Sequence, residues 1–254
     1  MSVPVIETRS LAKSFGGHMV LDRVDLTVAR GESLVVIGGS GTGKSVLLRT
    51  ILGLEDRDAG EILLHGESTG PAVRARFMRD FGMLFQNGAL FDSLPVWRNV
   101  AFRLLRTMPA AQARVRAIER LARVGLGPEV ADRMPADLSG GMRKRVGLAR
   151  AIAADPRVIF FDEPTTGLDP QRAAAINSLI RDIVGETDAT AVTITHDMTS
   201  VRAIADRVAL LDRGRLRWQG SVAEMDNATD PVLRAFVEGK PLDWRPLAPA
   251  ERSR

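Results

Sequence analysis

The 254-residue chain has no cysteine and no tyrosine, and only four lysines, at positions 13, 44, 144 and 240. Without cysteine there are no disulfides and no thiolate-held metals, which fits a reducing compartment. The longest purely apolar stretches, such as residues 158–161, fall far short of the ~18–20 residues of a membrane-spanning helix, so none is expected. The first ten residues lack a basic end followed by an apolar run, and no secretory signal is read there. Internal repeats and low-complexity tracts are also missing. With lysine so scarce, arginine carries nearly all the positive charge behind a net +4. The arginines are spread over helical segments and mixed with acids, so no nucleic-acid partner is expected. What remains is an ordinary globular balance, 45% hydrophobic and 26% charged, long enough to bury a sizeable core.

Val24, Leu26 and Val28 alternate with polar residues, as in a half-buried strand. Residues 33–37 form a short apolar run that ends in glycines, a buried strand feeding a tight turn. The spacing of Val46, Leu47 and Ile51 predicts a helix over 44–52 that stops at Gly53. Further strands are expected at 61–64, 81–85, 158–161, 191–195 and 208–211, and helices at 171–184 and 199–205. A helix is also expected from Ser139 to about Asp155, closed by Pro156. Between 95 and 133 the pattern turns helical. Val115, Ile118, Leu121 and Ala122 recur at helical intervals, with Arg114, Arg116, Arg120 and Arg123 on the other faces. Arg213-Gly214-Arg215 suggests a hairpin. This alternation predicts an α/β fold with a mostly parallel sheet covered by helices. One domain is expected over 1–239, with a helical insert at about 95–155. The segment 240–254, with its three prolines and Trp244, reads as an extended C-terminal tail.

Residues 38–45 read Gly-Gly-Ser-Gly-Thr-Gly-Lys-Ser, the spacing of a P-loop, between an apolar strand and a helix. Here Gly38, Gly39, Ser40, Gly41, Thr42 and Gly43, with Val46 just beyond, offer backbone N–H groups at a helix start, where phosphate oxygens bind. Lys44 would reach the β- and γ-phosphates and the Ser45 hydroxyl would help hold Mg2+. Asp162 and Glu163 follow the apolar run 158–161. Carboxylates at the end of a buried strand are costly unless paired or metal-bound. Asp162 therefore suits Mg2+, and Glu163 suits polarising the water that attacks the γ-phosphate. At 138–142, Leu-Ser-Gly-Gly-Met, Ser139 is a good helix N-cap and Gly140 and Gly141 expose backbone donors, a second anion site. His196 follows an apolar strand, at the edge where open α/β sheets bind ligands, whereas His18 and His65 lie in polar, turn-rich stretches.

With residues 38–45, 138–142, Phe160-Phe161-Asp162-Glu163, Gly167-Leu168-Asp169 and His196 in this order, the chain resembles the ABC ATPases over nearly its whole length. The resemblance implies a P-loop ABC fold: a mostly parallel core sheet, an antiparallel β subdomain and an inserted helical subdomain. It implies ATP and Mg2+ as ligands, and a homodimer in which Ser139, Gly140 and Gly141 complete the ATP site of a second subunit. Asp169 matches the loop that crosses that dimer, and His196 the histidine on the γ-phosphate. Gln86 matches the glutamine that bonds Mg2+ or the attacking water and senses the membrane partner. Phe15 takes the place of the aromatic that stacks on adenine, usually a tyrosine, and Met142 replaces the usual glutamine of the signature.

Residues 84–91, Leu-Phe-Gln-Asn-Gly-Ala-Leu-Phe, look like the corresponding segment in ATPases of Mla/Mce lipid-transport systems, and so do 138–145 and the ending 236–239. By pattern alone that apolar stretch is a docking groove for a partner helix or the core of the helical insert. The resemblance implies phospholipid transport across the bacterial envelope by a peripheral subunit on the cytoplasmic face of the inner membrane. Its partners would be a membrane permease, an Mce-domain lipid-binding protein and an accessory subunit. Amino-acid importer ATPases share most of these motifs, and a non-transport cassette in iron–sulfur assembly is a further reading. In the tail, Trp244 between Pro241 and Pro246 is read as a frayed end or as packing on another subunit.

Overall fold

The computed structural model describes residues 3–240; the expected tail segment with Pro241, Trp244 and Pro246 lies outside them. In chain order the elements are β1 (Ile6–Phe15), β2 (His18–Val28), β3 (Ser33–Ile37), α1 (Lys44–Leu52), β4 (Ala59–Leu64), β5 (Glu67–Ser68), α2 (Pro71–Phe77) and β6 (Phe81–Leu84). Then come α3 (Val96–Val100), α4 (Ala110–Arg123), α5 (Gly140–Ala151), β7 (Val158–Asp162), α6 (Pro170–Thr187), β8 (Thr190–Ile194) and α7 (Met198–Ile204). The chain closes with β9 (Arg207–Asp212), β10 (Arg215–Ser221), α8 (Val222–Asp226) and α9 (Pro231–Val237). Between β6 and β7 the described residues form only helices and turns.

Two sheets result. One is antiparallel, in the order β2-β1-β4-β5; the other has the order β10-β9-β3-β8-β7-β6 and is parallel except for β10 on its edge. This is the α/β architecture expected from the alternation of elements. The continuous apolar runs are explained by burial on both faces. On β3, Leu34 and Val36 enter one core, shared with the antiparallel sheet and α1, while Val35 and Ile37 enter the other, shared with α4, α5 and α6. On β7, Val158 and Phe160 enter the first core and Ile159 and Phe161 the second. Parallel pairing of β3 with β8, and of β8 with β7, sets the C-terminal ends of these strands side by side. Each of those ends delivers one of the chemical motifs.

Three expectations change. The buried stripe of α4 is Ala113, Ala117, Arg120 and Leu121, not one built on Val115, which is 58% exposed. Small alanines let the helix approach its neighbours closely, and Arg120 turns inward to hold both carboxylate oxygens of Asp155, at 2.6 and 2.7 Å. Helix α5 ends at Ala151 rather than near Asp155. Asp155 is left-handed (φ 49°), a conformation that breaks the helical path before Pro156. Strand β1 is additional. Its pairing shifts register around Ser10 (φ 46°), which breaks the alternation a half-buried strand otherwise shows.

Candidate functional site

Strand β3 runs into the loop at 38–43, which opens α1. Gly38 has φ 156°, and a Cβ there would sit 2.3 Å from the Leu211 carbonyl. Gly43, the α1 N-cap, has φ 101°, and its Cβ would meet the Val20 carbonyl at 2.8 Å. Both positions admit only glycine. The buried Thr42 hydroxyl donates to Gly39 O at 2.9 Å, tightening the loop from within. Lys44 is buried, and its ammonium donates to the carbonyls of Gly38 and Gly39, both at 2.8 Å. An ammonium has three donors, so one remains for a phosphate oxygen. Val46 is half-buried and packs against the core shared with the antiparallel sheet.

The loop forms one wall of a polar cavity of about 560 Å³. Gly39, Ser40, Gly41, Lys44, Ser45, Gln86, Asp162, Glu163 and His196 line it. Residues from four separate strand ends thus meet at one place. Glu163 also has positive φ (48°), and its carboxylate accepts from Thr166 Oγ1 at 2.9 Å and faces His196 Nδ1 at 2.9 Å. Burial, then the neighbouring Glu163, hold the Asp162 carboxyl above its usual range. Burial also pushes the Lys44 and Lys144 ammonium groups below theirs, against the pull of Glu163 and Asp162. The acidic pair is therefore bracketed by two buried lysines.

The donor set fits Mg2+. Ser45 hydroxyl, Gln86 amide and Asp162 carboxylate are hard oxygen ligands bordering the same cavity. Among the described residues no cluster of three His, Asp or Glu forms a metal cage. Mg2+ takes one or two carboxylates and completes its shell with water and phosphate.

Other expected site residues lie elsewhere in the single chain. Ser139 caps α5, accepting from Met142 N at 3.3 Å, and with Gly141 borders a separate cleft of about 170 Å³. Gly140 opens the same helix. Asp169 caps α6, its carboxylate accepting from Arg172 N at 3.0 Å. Phe15 is exposed on β1 and does not line the cavity; the Lys13 ammonium lies 4.9 Å from its ring centre. Phe236, Gly239 and Lys240 do line the cavity, brought there by α9 from the far end of the sequence. Thr166, Thr195 and Lys144 join them around Glu163. Thr166 and Thr195 flank motif residues in the sequence, a usable signal. Lys144 sits in an Arg-Lys-Arg run that reads as a solvated helix face.

A second, larger cavity of about 940 Å³ is apolar, lined by Leu54, Phe85, Ala89, Phe91 and Phe102 among others, with Arg79, Arg103, Arg106 and Arg150. The Phe91 and Phe102 rings stack with centroids 4.6 Å apart. Asn99, fully buried, holds the bend at 91–95. It donates to the carbonyls of Phe91, Leu94 and Pro95 and accepts from Phe91 N. Arg150 of α5 donates to Gly88 and Ala89 carbonyls, both at 2.7 Å, pinning the segment after Gln86. No helix of the described residues is long and apolar enough to cross a membrane.

Against this geometry, the family model described as "ABC transporter" matches residues 21–166. The chain is 40% identical over 242 residues to the probable ribonucleotide transport ATP-binding protein mkl of Mycobacterium bovis, covering 92% of this chain and 67% of that protein. It is 43% identical over 244 residues to the methionine import ATP-binding protein MetN of Caulobacter vibrioides, covering 93% and 73%. Among solved structures, a dimeric ATP-binding cassette in a post-hydrolysis state with ADP and phosphate superposes with TM-score 0.78 at 29% identity, covering 85% of this chain and 98% of that one.

Proposed function

The chain belongs to the ABC transporter family, as an ATP-hydrolysing subunit, and from that premise we propose that it powers lipid, in particular phospholipid, transport across a bacterial envelope. The observation that carries the transport reading is the apolar groove beside Gln86. Its aromatic floor and arginine rim suit a cytoplasmic helix of a membrane permease that is apolar on one face and acidic on the other. The lipid reading rests on the chain's own segments 84–91, 138–145 with Met142, and 236–239. The relatives named above carry different cargo names, ribonucleotide and methionine. The match to MetN supports a second reading, import of an amino acid or another small solute.

In this reading two copies pack head to tail. Each cavity receives the nucleotide's phosphates on the 38–45 loop and Lys44, while Ser139, Gly140, Gly141 and Asp169 of the second copy close it. The separate cleft beside Ser139 and Gly141 supports that division of labour. Ser45, Gln86 and Asp162 would hold Mg2+, which would neutralise phosphate charge there. Glu163, oriented by Thr166 and His196, accepts a proton from the attacking water, and His196 faces the γ-phosphate. Closing the dimer on ATP and reopening it after hydrolysis moves the helical segment 95–155 and, through the groove, the permease.

Isolation from the native membrane tests the reading. Co-isolation of an integral permease, an Mce-domain protein and phospholipid is expected. A small-solute permease without an Mce-domain partner would overturn the lipid assignment, and no membrane partner at all would overturn transport.

A further inference from the structure

The left-handed backbone of Glu163 is one that a non-glycine residue keeps only where its surroundings hold it. Its N–H donates to Ile194 O at 2.9 Å, and its carbonyl accepts from Thr166 N at 3.3 Å and from the Lys144 ammonium at 3.0 Å. Thr166 belongs to the same loop, and Ile194 and His196 to β8 and its end. Among the described contacts of Glu163, only that of Lys144 reaches it from α5, the helix whose first turn presents Gly140 and Gly141 behind the Ser139 cap. Lys144 is 5% exposed, so its charge has been taken out of water to sit at this carbonyl. Five residues along a helix separate Ser139 and Lys144, about 7.5 Å of axial rise. A rigid rod of that length carries any displacement of its first turn to its second. Arg150, further along the same helix, grips the segment after Gln86.

We propose that Lys144 is a positioning residue for hydrolysis: it ties the Glu163 backbone to α5, so that the helix engaging the partner's nucleotide and the carboxylate acting on the chain's own nucleotide move as one piece. The inference rests on Glu163 being the carboxylate that activates water. A charge-assisted hydrogen bond that matters only when water attacks the γ-phosphate affects kcat and leaves ATP binding alone. A buried lysine that merely fills space would instead lower stability and affinity together.

The absence of cysteine elsewhere in the chain permits a chemical test. In the full-length protein, Lys144→Cys is expected to lower kcat for MgATP by about tenfold or more, the size of one such bond, with KM within about twofold. Aminoethylation of that cysteine restores an ammonium at nearly the same reach and is expected to recover at least half of kcat. Should Lys144→Cys fail to fold, Lys144→Met, which keeps the length without a donor, carries the same comparison of kcat with KM. A wild-type kcat in either variant, a loss shared equally by KM and melting temperature, or aminoethylation that recovers melting temperature without kcat would overturn the proposal. Glu163→Gln, measured alongside, separates the two levels. If it turns over normally, the role given to Glu163 fails; if it is inactive while Lys144→Cys is unimpaired, only the role given to Lys144 fails.

Discussion

Phe85 and Gln86 are neighbours in the chain, yet they border different cavities. Gln86 faces the polar one with Lys44, Asp162 and Glu163, and Phe85 faces the larger apolar one with Phe91 and Phe102. The polar cavity is built from strand ends and buried charges, whose position is fixed by parallel pairing and by backbone hydrogen bonds. The apolar groove is built from a loop and the helices after it, held by Asn99 and Arg150 through carbonyls. Chemistry that needs atoms placed to a fraction of an ångström sits on the sheet. The apolar surface, read above as the permease's seat, sits on the loop and helices that follow β6. The difference teaches that the two functions are separable by mutation, although one loop serves both.

The largest separation is expected from Glu163→Gln, which should cut steady-state ATP hydrolysis by roughly 10²–10⁴-fold, the range of a lost general base, while nucleotide binding persists in a titration. Next comes Lys44→Ala. Losing a charged donor to phosphate is worth about 1.5–3 kcal/mol, so ATP affinity should fall by about 10- to 150-fold, with permease capture from membranes unchanged. From the opposite side, Phe91→Asp should abolish permease capture and leave the isolated chain's hydrolysis within about twofold, since a charge on an apolar floor is not compensated. Loss of hydrolysis in that variant would merge the two cavities into one functional unit. The smallest effect is expected from Asn99→Ala. It leaves buried backbone groups of the 91–95 bend unpaired, lowering unfolding stability by about 1–3 kcal/mol and weakening permease capture, with ATP affinity unaltered.

Most of the residues that line the polar cavity were legible because their signals are local. An apolar run burying both faces, such as 158–161, ends at carboxylates; glycines with no room for a side chain mark the turn at 38–43. The fold class followed from the same alternation. What stayed hidden depends on distant partners. The inward turn of Arg120 is set by Asp155, 35 residues on, and no periodicity marks it. On α4 the eye follows Val115, whereas Ala113 and Ala117 bury because neighbouring helices come close. A register shift near Ser10 disguises β1. Lys144 looks like one more cation among arginines until its contact with the Glu163 carbonyl is seen. Phe236, Gly239 and Lys240 approach the cavity only because the last helices fold back over the sheet.

The scarcity of lysine has a practical consequence. Lys44 and Lys240 line the polar cavity, Lys144 grips Glu163 beside it, and Lys13 lies over Phe15; the other basic side chains of the chain are arginines and three histidines. Three of the four side-chain amines thus lie at or beside the polar cavity, while Lys13 on β1, outside its lining, serves as an internal reference for amine-selective reagents. Acylation rates read by mass spectrometry would follow closure of this one cavity, residue by residue, without any introduced label.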